Sequence, residues 1–206
     1  KKKKKKSTYD PTKKYKPNAK CHCGSGNKYK KCCRVSDLVL RGTDGSEALI
    51  VACGKGDVNA MNVLLAAGVD VNCKENAAER WTPLTAACYN DRVKVVNVLL
   101  SREEIQINQA ANDGRTPLSM ACYNGHVKVV NALLARKEIQ INQASNDGAT
   151  PLYAACQEGH VKVVKALLTN KQIDINKQFK GWTPLKIAIE KGHTEIAALL
   201  QQHGTK

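Results

Sequence analysis

The sequence predicts an all-α solenoid of about five helix–turn–helix units joined by short β-turn connections. Three observations carry this reading. The triplet Thr-Pro-Leu begins at Thr82, Thr116, Thr150 and Thr183, spaced 34, 34 and 33 residues. A Leu-Leu pair begins at Leu64, Leu99, Leu133, Leu167 and Leu199, in step with the triplet. Self-similarity at a period of this size marks a repeat architecture. Finally, 42% of residues are hydrophobic but only 4% are aromatic. A core of Ala, Val, Leu and Ile suits helices better than a β-sandwich.

Each mark within a unit has a physical role. Thr at the triplet can cap a helix, and Pro at the first helical position loses no hydrogen bond. Gly-His recurs at Gly125, Gly159 and Gly192, where the first helix must end on a left-handed residue. The next segment, VKVVNALL at 127–134, is apolar at helical spacing and predicts a second helix. A short extended IQIN follows, closed by an Asn; the closing residues are Asn72, Asn108, Asn142 and Asn176. Asn-Asp-Gly at 112–114 and 146–148 then predicts a turn. The first unit has Glu47-Ala48-Leu49 in place of the triplet but keeps the later half.

Turn, helix, turn, helix at this period closely resembles the ankyrin repeat. The resemblance covers about four fifths of the chain and implies units at 42–76, 77–110, 111–144, 145–177 and 178–206. The family usually has His directly after Thr-Pro-Leu, and here Thr85, Ser119, Tyr153 and Lys186 stand there. That His ties neighbouring units, so its absence implies a less stable stack. One unit cannot bury its apolar face alone, so the end units should be polar. Gln201, Gln202 and His203 fit that role.

The charge lies elsewhere. Of the net +15, residues 1–36 carry +13, from thirteen Lys and one Arg against Asp10. The rest holds 19 basic and 17 acidic residues. A basic tail attracts phosphates, acidic proteins or anionic surfaces. Residues 1–18 are expected to be disordered. No apolar run approaches the length of a membrane span. The opening KKKKKK is not followed by the apolar stretch of a signal peptide. The chain does not begin with Met, which predicts a fragment, a processed product or an incomplete gene model. Nine cysteines without a secretory signal predict a reducing, intracellular compartment, cytoplasm or nucleus.

The cysteines form two populations. Cys53, Cys88, Cys122 and Cys156 are spaced 35, 34 and 34. They ride the repeat and are expected to pack as small buried hydrophobes. Cys73 falls in a connecting loop and is expected to be a bystander. Cys21, Cys23, Cys32 and Cys33 ignore the period and crowd into CHCGSGNKYKKCC at 21–33. Two close pairs separated by a turn can supply the four thiolates of a tetrahedral zinc site. Gly24-Ser25-Gly26 provides the turn, and its N–H groups can bond the sulfurs. His22 lies between two ligands and is expected outside the coordination shell. C-x-C-G-S-G-x-x-Y-K-x-C-C is also similar to the SEC-C motif, the small zinc module at the C-terminus of the SecA translocation ATPase. The resemblance implies one structural Zn2+ held by Cys21, Cys23, Cys32 and Cys33 in a module at 19–36. The chain has no G-x-x-x-x-G-K-[ST] phosphate loop, so it is not that ATPase.

No catalytic constellation is predicted. Zinc held by four thiolates leaves no position for water or substrate. Cys122–His126 and Cys156–His160 are repeat marks, which favours packing over nucleophilic chemistry. The ankyrin resemblance instead implies a concave protein-binding face. Its turn-tip positions hold Trp81, Arg115, Asn146, Asp147, Phe179, Lys180 and Trp182. Its positions on the outward side of the first helix hold Tyr89, Asn90, Tyr123, Asn124, Gln157 and Glu158. Trp, Tyr and Arg are enriched at binding hot spots. Lys94, Lys128 and Lys162 recur on the second helices and predict a solvated outer stripe. The chain is thus expected to be a monomeric, non-enzymatic scaffold or adaptor for a partner protein. The rival expectation is nucleic-acid or ribosome binding through residues 1–34, whose lysines can contact phosphate. A third is an enzyme whose catalytic domain lies upstream of Lys1.

Overall fold

The structure is a computed structural model, and it describes residues 45–75 and 78–204. These residues form ten helices and no strand. The helices come in five consecutive pairs: α1 (Ser46–Lys55) with α2 (Val58–Ala66), α3 (Pro83–Tyr89) with α4 (Val93–Leu100), and α5 (Pro117–Tyr123) with α6 (Val127–Leu134). Then come α7 (Pro151–Gln157) with α8 (Val161–Leu168), and α9 (Pro184–Glu190) with α10 (Thr194–Gly204). The first helices of successive pairs pack on one another from α1 to α9, and the second helices do so from α4 to α10. Two helical layers result, with the core between them.

The triplets start the first helices by the expected chemistry. Thr82, Thr116, Thr150 and Thr183 are extended, and each side-chain oxygen accepts the N–H three residues on, at 3.1 Å. Such a cap contributes about 1 kcal/mol. The unit without the triplet starts differently: Gly45 caps α1 at φ 74° with no side-chain bond. Each of these first helices then ends one or two residues before a left-handed glycine, Gly56, Gly125, Gly159 and Gly192. In the second unit Asp91 takes that conformation at φ 55°.

The core is aliphatic, as the composition implies. Cys53, Cys88, Cys122 and Cys156 are fully buried within it. Burial pushes the Cys53 and Cys156 thiols up to about 12, with Cys73 adding to the effect at Cys53. Burial also pushes Cys88 and Cys122 well above the ordinary thiol value, and at Cys122 the neighbouring Cys156 and Cys88 add to it. The periodic cysteines therefore stack as a column.

Three expectations are corrected. Cys73 is no bystander: it is buried in the core, its Sγ 3.8 Å from Ser46 O. The loop carrying it returns to the start of α1, a contact 27 residues away that spacing does not reveal. The IQIN segments are not extended throughout: they turn at 107–108 and 141–142, with Ile107 and Ile141 buried. The last unit is only partly polar. Gln201, Gln202 and His203 are exposed, but so is Ile189 on α9. Ile189 occupies the column of the buried cysteines, and no following unit among the described residues covers it.

Candidate functional site

The connecting turns and the first helices share one face, called here the inner face. It holds a cleft of about 390 Å³ between the turn tips and helices of the third and fourth units, closed at one end by Phe179 of the fifth. Arg115, Tyr123, Asn146, Asp147, Gln157 and Phe179 line it, together with Tyr153. Asn124, Glu158, Lys180 and Trp182 lie outside the lining. Trp81, Tyr89 and Asn90 belong to the second unit, away from the cleft.

The walls are aromatic. The edge of Tyr153 meets Phe179, with centroids 4.8 Å apart at 62°. The Lys180 ammonium stands over the Phe179 ring, 5.1 Å from its centroid. Tyr153 is only 3% exposed, whereas Tyr123 is 39% exposed and available to a ligand. A second aromatic pair, Trp81 and Tyr89, has centroids 4.9 Å apart and leaves Tyr89 38% exposed. Trp182, 40% exposed, closes a two-residue hairpin. Phe179 and Trp182 exchange N–H···O bonds of 2.8 Å across Lys180 and Gly181, both at positive φ. Positive φ at both central residues is the geometry of a type I′ turn.

Two carboxylates line the cleft in different states. Arg115 Nε donates to Asp113 Oδ2 at 2.5 Å, which neutralises that charge locally. The Ser145 hydroxyl donates to Asp147 Oδ1 at 2.5 Å and holds its carboxyl below the usual range. Burial opposes that shift, and backbone N–H groups and Lys180 reinforce it.

Several candidate residues are already engaged within the fold. Asn90 and Asn124 donate back to Ala86 O and Met120 O at 2.9 Å, closing their helices. The Asn146 amide donates to Asn112 O at 2.6 Å, tying one turn tip to the previous one. Gln157 donates to Glu158 Oε1 at 2.9 Å. Conversely, Tyr153 was not among the predicted contacts. Its signal was present in sequence: it is the one aromatic in the slot after Thr-Pro-Leu, otherwise held by Thr85, Ser119 and Lys186.

The Cys–His pairs are structural. His126 Nε2 lies 2.9 Å from Tyr89 O, His160 Nε2 2.9 Å from Tyr123 O, and His193 Nε2 3.1 Å from Gln157 O. A carbonyl accepts, so each Nε2 carries the proton. Each imidazole thus reaches back one unit and away from its own cysteine. In the second unit Arg92 Nε does the same to Gly54 O at 2.9 Å. The closing asparagines form a parallel row. Asn72, Asn108 and Asn142 donate to Glu104, Glu138 and Gln172 carbonyls and accept from the Gln106, Gln140 and Asp174 N–H groups. These two rows join neighbouring units in place of the missing His after the triplet.

On the other layer Lys94, Lys128 and Lys162 are exposed. In the last unit Glu195 takes their place and pairs with Lys165 at 2.7 Å. Cys21, Cys23, Cys32 and Cys33, with His22 and the basic residues 1–34, lie outside the described residues. Among the described residues no group of three or more His, Cys, Asp or Glu side chains is placed to hold a metal. No helix among them is long and apolar enough to cross a membrane.

The family model for ankyrin repeats (three copies) matches residues 23–110, 49–145, 102–179 and 137–206. A search of curated proteins finds no match to the chain.

Proposed function

The chain belongs to the ankyrin-repeat family, and from that premise we propose that it is a non-catalytic scaffold or adaptor whose inner face captures a partner protein. Ankyrin repeats generally mediate protein–protein interaction. One observation favours the inner face in this chain. A sequence with only 4% aromatic residues leaves Tyr89, Tyr123 and Trp182 exposed on its turn tips and first helices, and Tyr123 lines a cleft walled by Tyr153 and Phe179. Exposed aromatics next to a recess are the usual anchors of an interface. The test is affinity capture with the full chain and with a Trp81→Ala, Tyr123→Ala, Trp182→Ala variant. The variant should keep its helical signal and lose the partners the parent retains. Undiminished capture would refute the inner-face reading.

The proposal includes a second contact site at residues 1–36. There Cys21, Cys23, Cys32 and Cys33 hold one structural Zn2+, and the lysines before them supply charge. The spacing C-x-C, eight residues, C-C supports this. Two weak contacts on one chain bind tightly together through effective concentration. The charge of +13 in the first 36 residues supports a second reading, binding of nucleic acid or another polyanion through residues 1–34. Titration with a generic RNA at rising salt separates the two. Affinity that falls steeply with salt, and that disappears when Lys1 to Lys6 are replaced by Ser, favours the polyanion.

A further inference from the structure

We infer that the inner-face cleft receives a cationic side chain, an arginine or lysine, carried on a segment of the partner protein. This inference rests on the inner-face reading above and names what the face recognises.

Three rings, Tyr123, Tyr153 and Phe179, line the cleft. Aromatic faces attract a cation placed within about 6 Å of the centroid. The chain itself demonstrates this at the rim, where the Lys180 ammonium sits 5.1 Å from the Phe179 centroid. The charges of the lining select the sign of the ligand. Asp113, Asp147 and Arg115 are its ionic residues, and no lysine lines it. Arg115 is committed to Asp113, so the negative charge left within the lining belongs to Asp147, on which only Lys180 acts, from outside the lining. Its hydroxyl partner, Ser145, stabilises the anion without neutralising it. An apolar side chain seated here would strip water from that carboxylate without pairing it, which is costly. An anionic one would be repelled. A cation pairs with Asp147 and stacks on the exposed Tyr123 ring and the Phe179 ring at the same time. The volume, about 390 Å³, falls at the small end of ligand pockets, which start near ~300 Å³, and suits one long side chain with its flanking backbone.

Lys180 then has a defined part. It lies over Phe179 and also acts on Asp147, so it competes for both groups an incoming cation needs. Its removal should strengthen binding of the ligand.

The experiment is an amide-resolved NMR titration of the full chain with N-acetyl-arginine methylamide and its neutral isostere, N-acetyl-citrulline methylamide. The resonances followed are those of Asp147, Ala149, Ala154 and Gln157. The arginine probe should shift them saturably, with the citrulline probe about fivefold weaker or more, as the loss of a cation–π contact and its counter-charge implies. Asp147→Asn should abolish that preference. Lys180→Gln should tighten the arginine probe by about twofold or more, because the internal competitor is gone. Equal response to both probes, or an Asp147→Asn variant that still prefers arginine, overturns the inference. The rival occupant is this chain's own lysine-rich start. If replacing Lys1 to Lys6 by Ser shifts the same resonances without any probe, the cleft is filled from within and the assignment to a partner is overturned. Failure here leaves the inner-face reading intact, because that reading stands or falls on capture by the Trp81, Tyr123 and Trp182 variant.

Discussion

Substituting Gly125 by Ala probes the contact between neighbouring units directly. Gly125 sits at φ 75°, and a Cβ there would lie 2.6 Å from His160 Nδ1 and 2.7 Å from Cε1. Two costs follow. A left-handed conformation with a Cβ costs about 1–2 kcal/mol. The His160 ring must also move, and it is bonded to Tyr123 O at 2.9 Å; losing such a bond costs about 0.5–1.5 kcal/mol. The sum, roughly 1.5–3.5 kcal/mol, is a large share of a domain stability of about 5–15 kcal/mol. Gly192 supplies the control. Its φ is 73°, and a Cβ there meets nothing within 4 Å, so Gly192→Ala carries the conformational cost alone. Urea unfolding followed by circular dichroism reads both. The decisive comparison is made in a His160→Ala background, where no ring stands in the way. There Gly125→Ala should cost only about 1–2 kcal/mol, the conformational part. If it costs as much there as in the parent, the imidazole row does not press against the glycines and the reasoning fails.

Arg80 occupies the turn position held elsewhere by Gly114, Gly148 and Gly181, and it is left-handed at φ 49°. Arg80→Gly should therefore stabilise the fold by about 0.5–1 kcal/mol once the extra freedom of glycine in the unfolded chain is deducted, read as a higher urea midpoint; a lower midpoint would contradict this. The buried thiols make stability fall at high pH. Above the ordinary thiol value of 9.0 the unfolded chain releases these protons, whereas Cys53 and Cys156 in the fold keep theirs to about 12. Stability is full below that lower value and declines as pH rises, by about 1.4 kcal/mol per thiol per pH unit. A Cys53→Ala, Cys156→Ala variant should lose stability less steeply between pH 9 and roughly pH 11; an unchanged slope would refute the assignment. Metal analysis of the full chain should give about one zinc per chain, and Cys21→Ser with Cys23→Ser should remove it, because four thiolates close the proposed site. Equal zinc in both would refute the ligand set.

The parts of this molecule legible in its sequence are those set by neighbours along the chain. Thr116 caps a helix by bonding the N–H three residues later, and Pro117 and Gly125 act through their own backbone angles. Such choices recur with the period, so helix starts, helix ends and the column at Cys53, Cys88, Cys122 and Cys156 can be read in order. The inner face depends on contacts about one repeat apart, between side chains that spacing aligns but does not orient. Asn146 looked available and instead donates to Asn112 O, 34 residues away. His160 could be paired on paper with Cys156, yet it reaches Tyr123 O, 37 residues away. Tyr153 stands in sequence only as a departure from the family pattern, and stacking places it against Phe179 in the next unit. Periodicity fixes which residues lie in one row. Only the packed distance between units decides which of them bond to each other and which are left to meet a ligand.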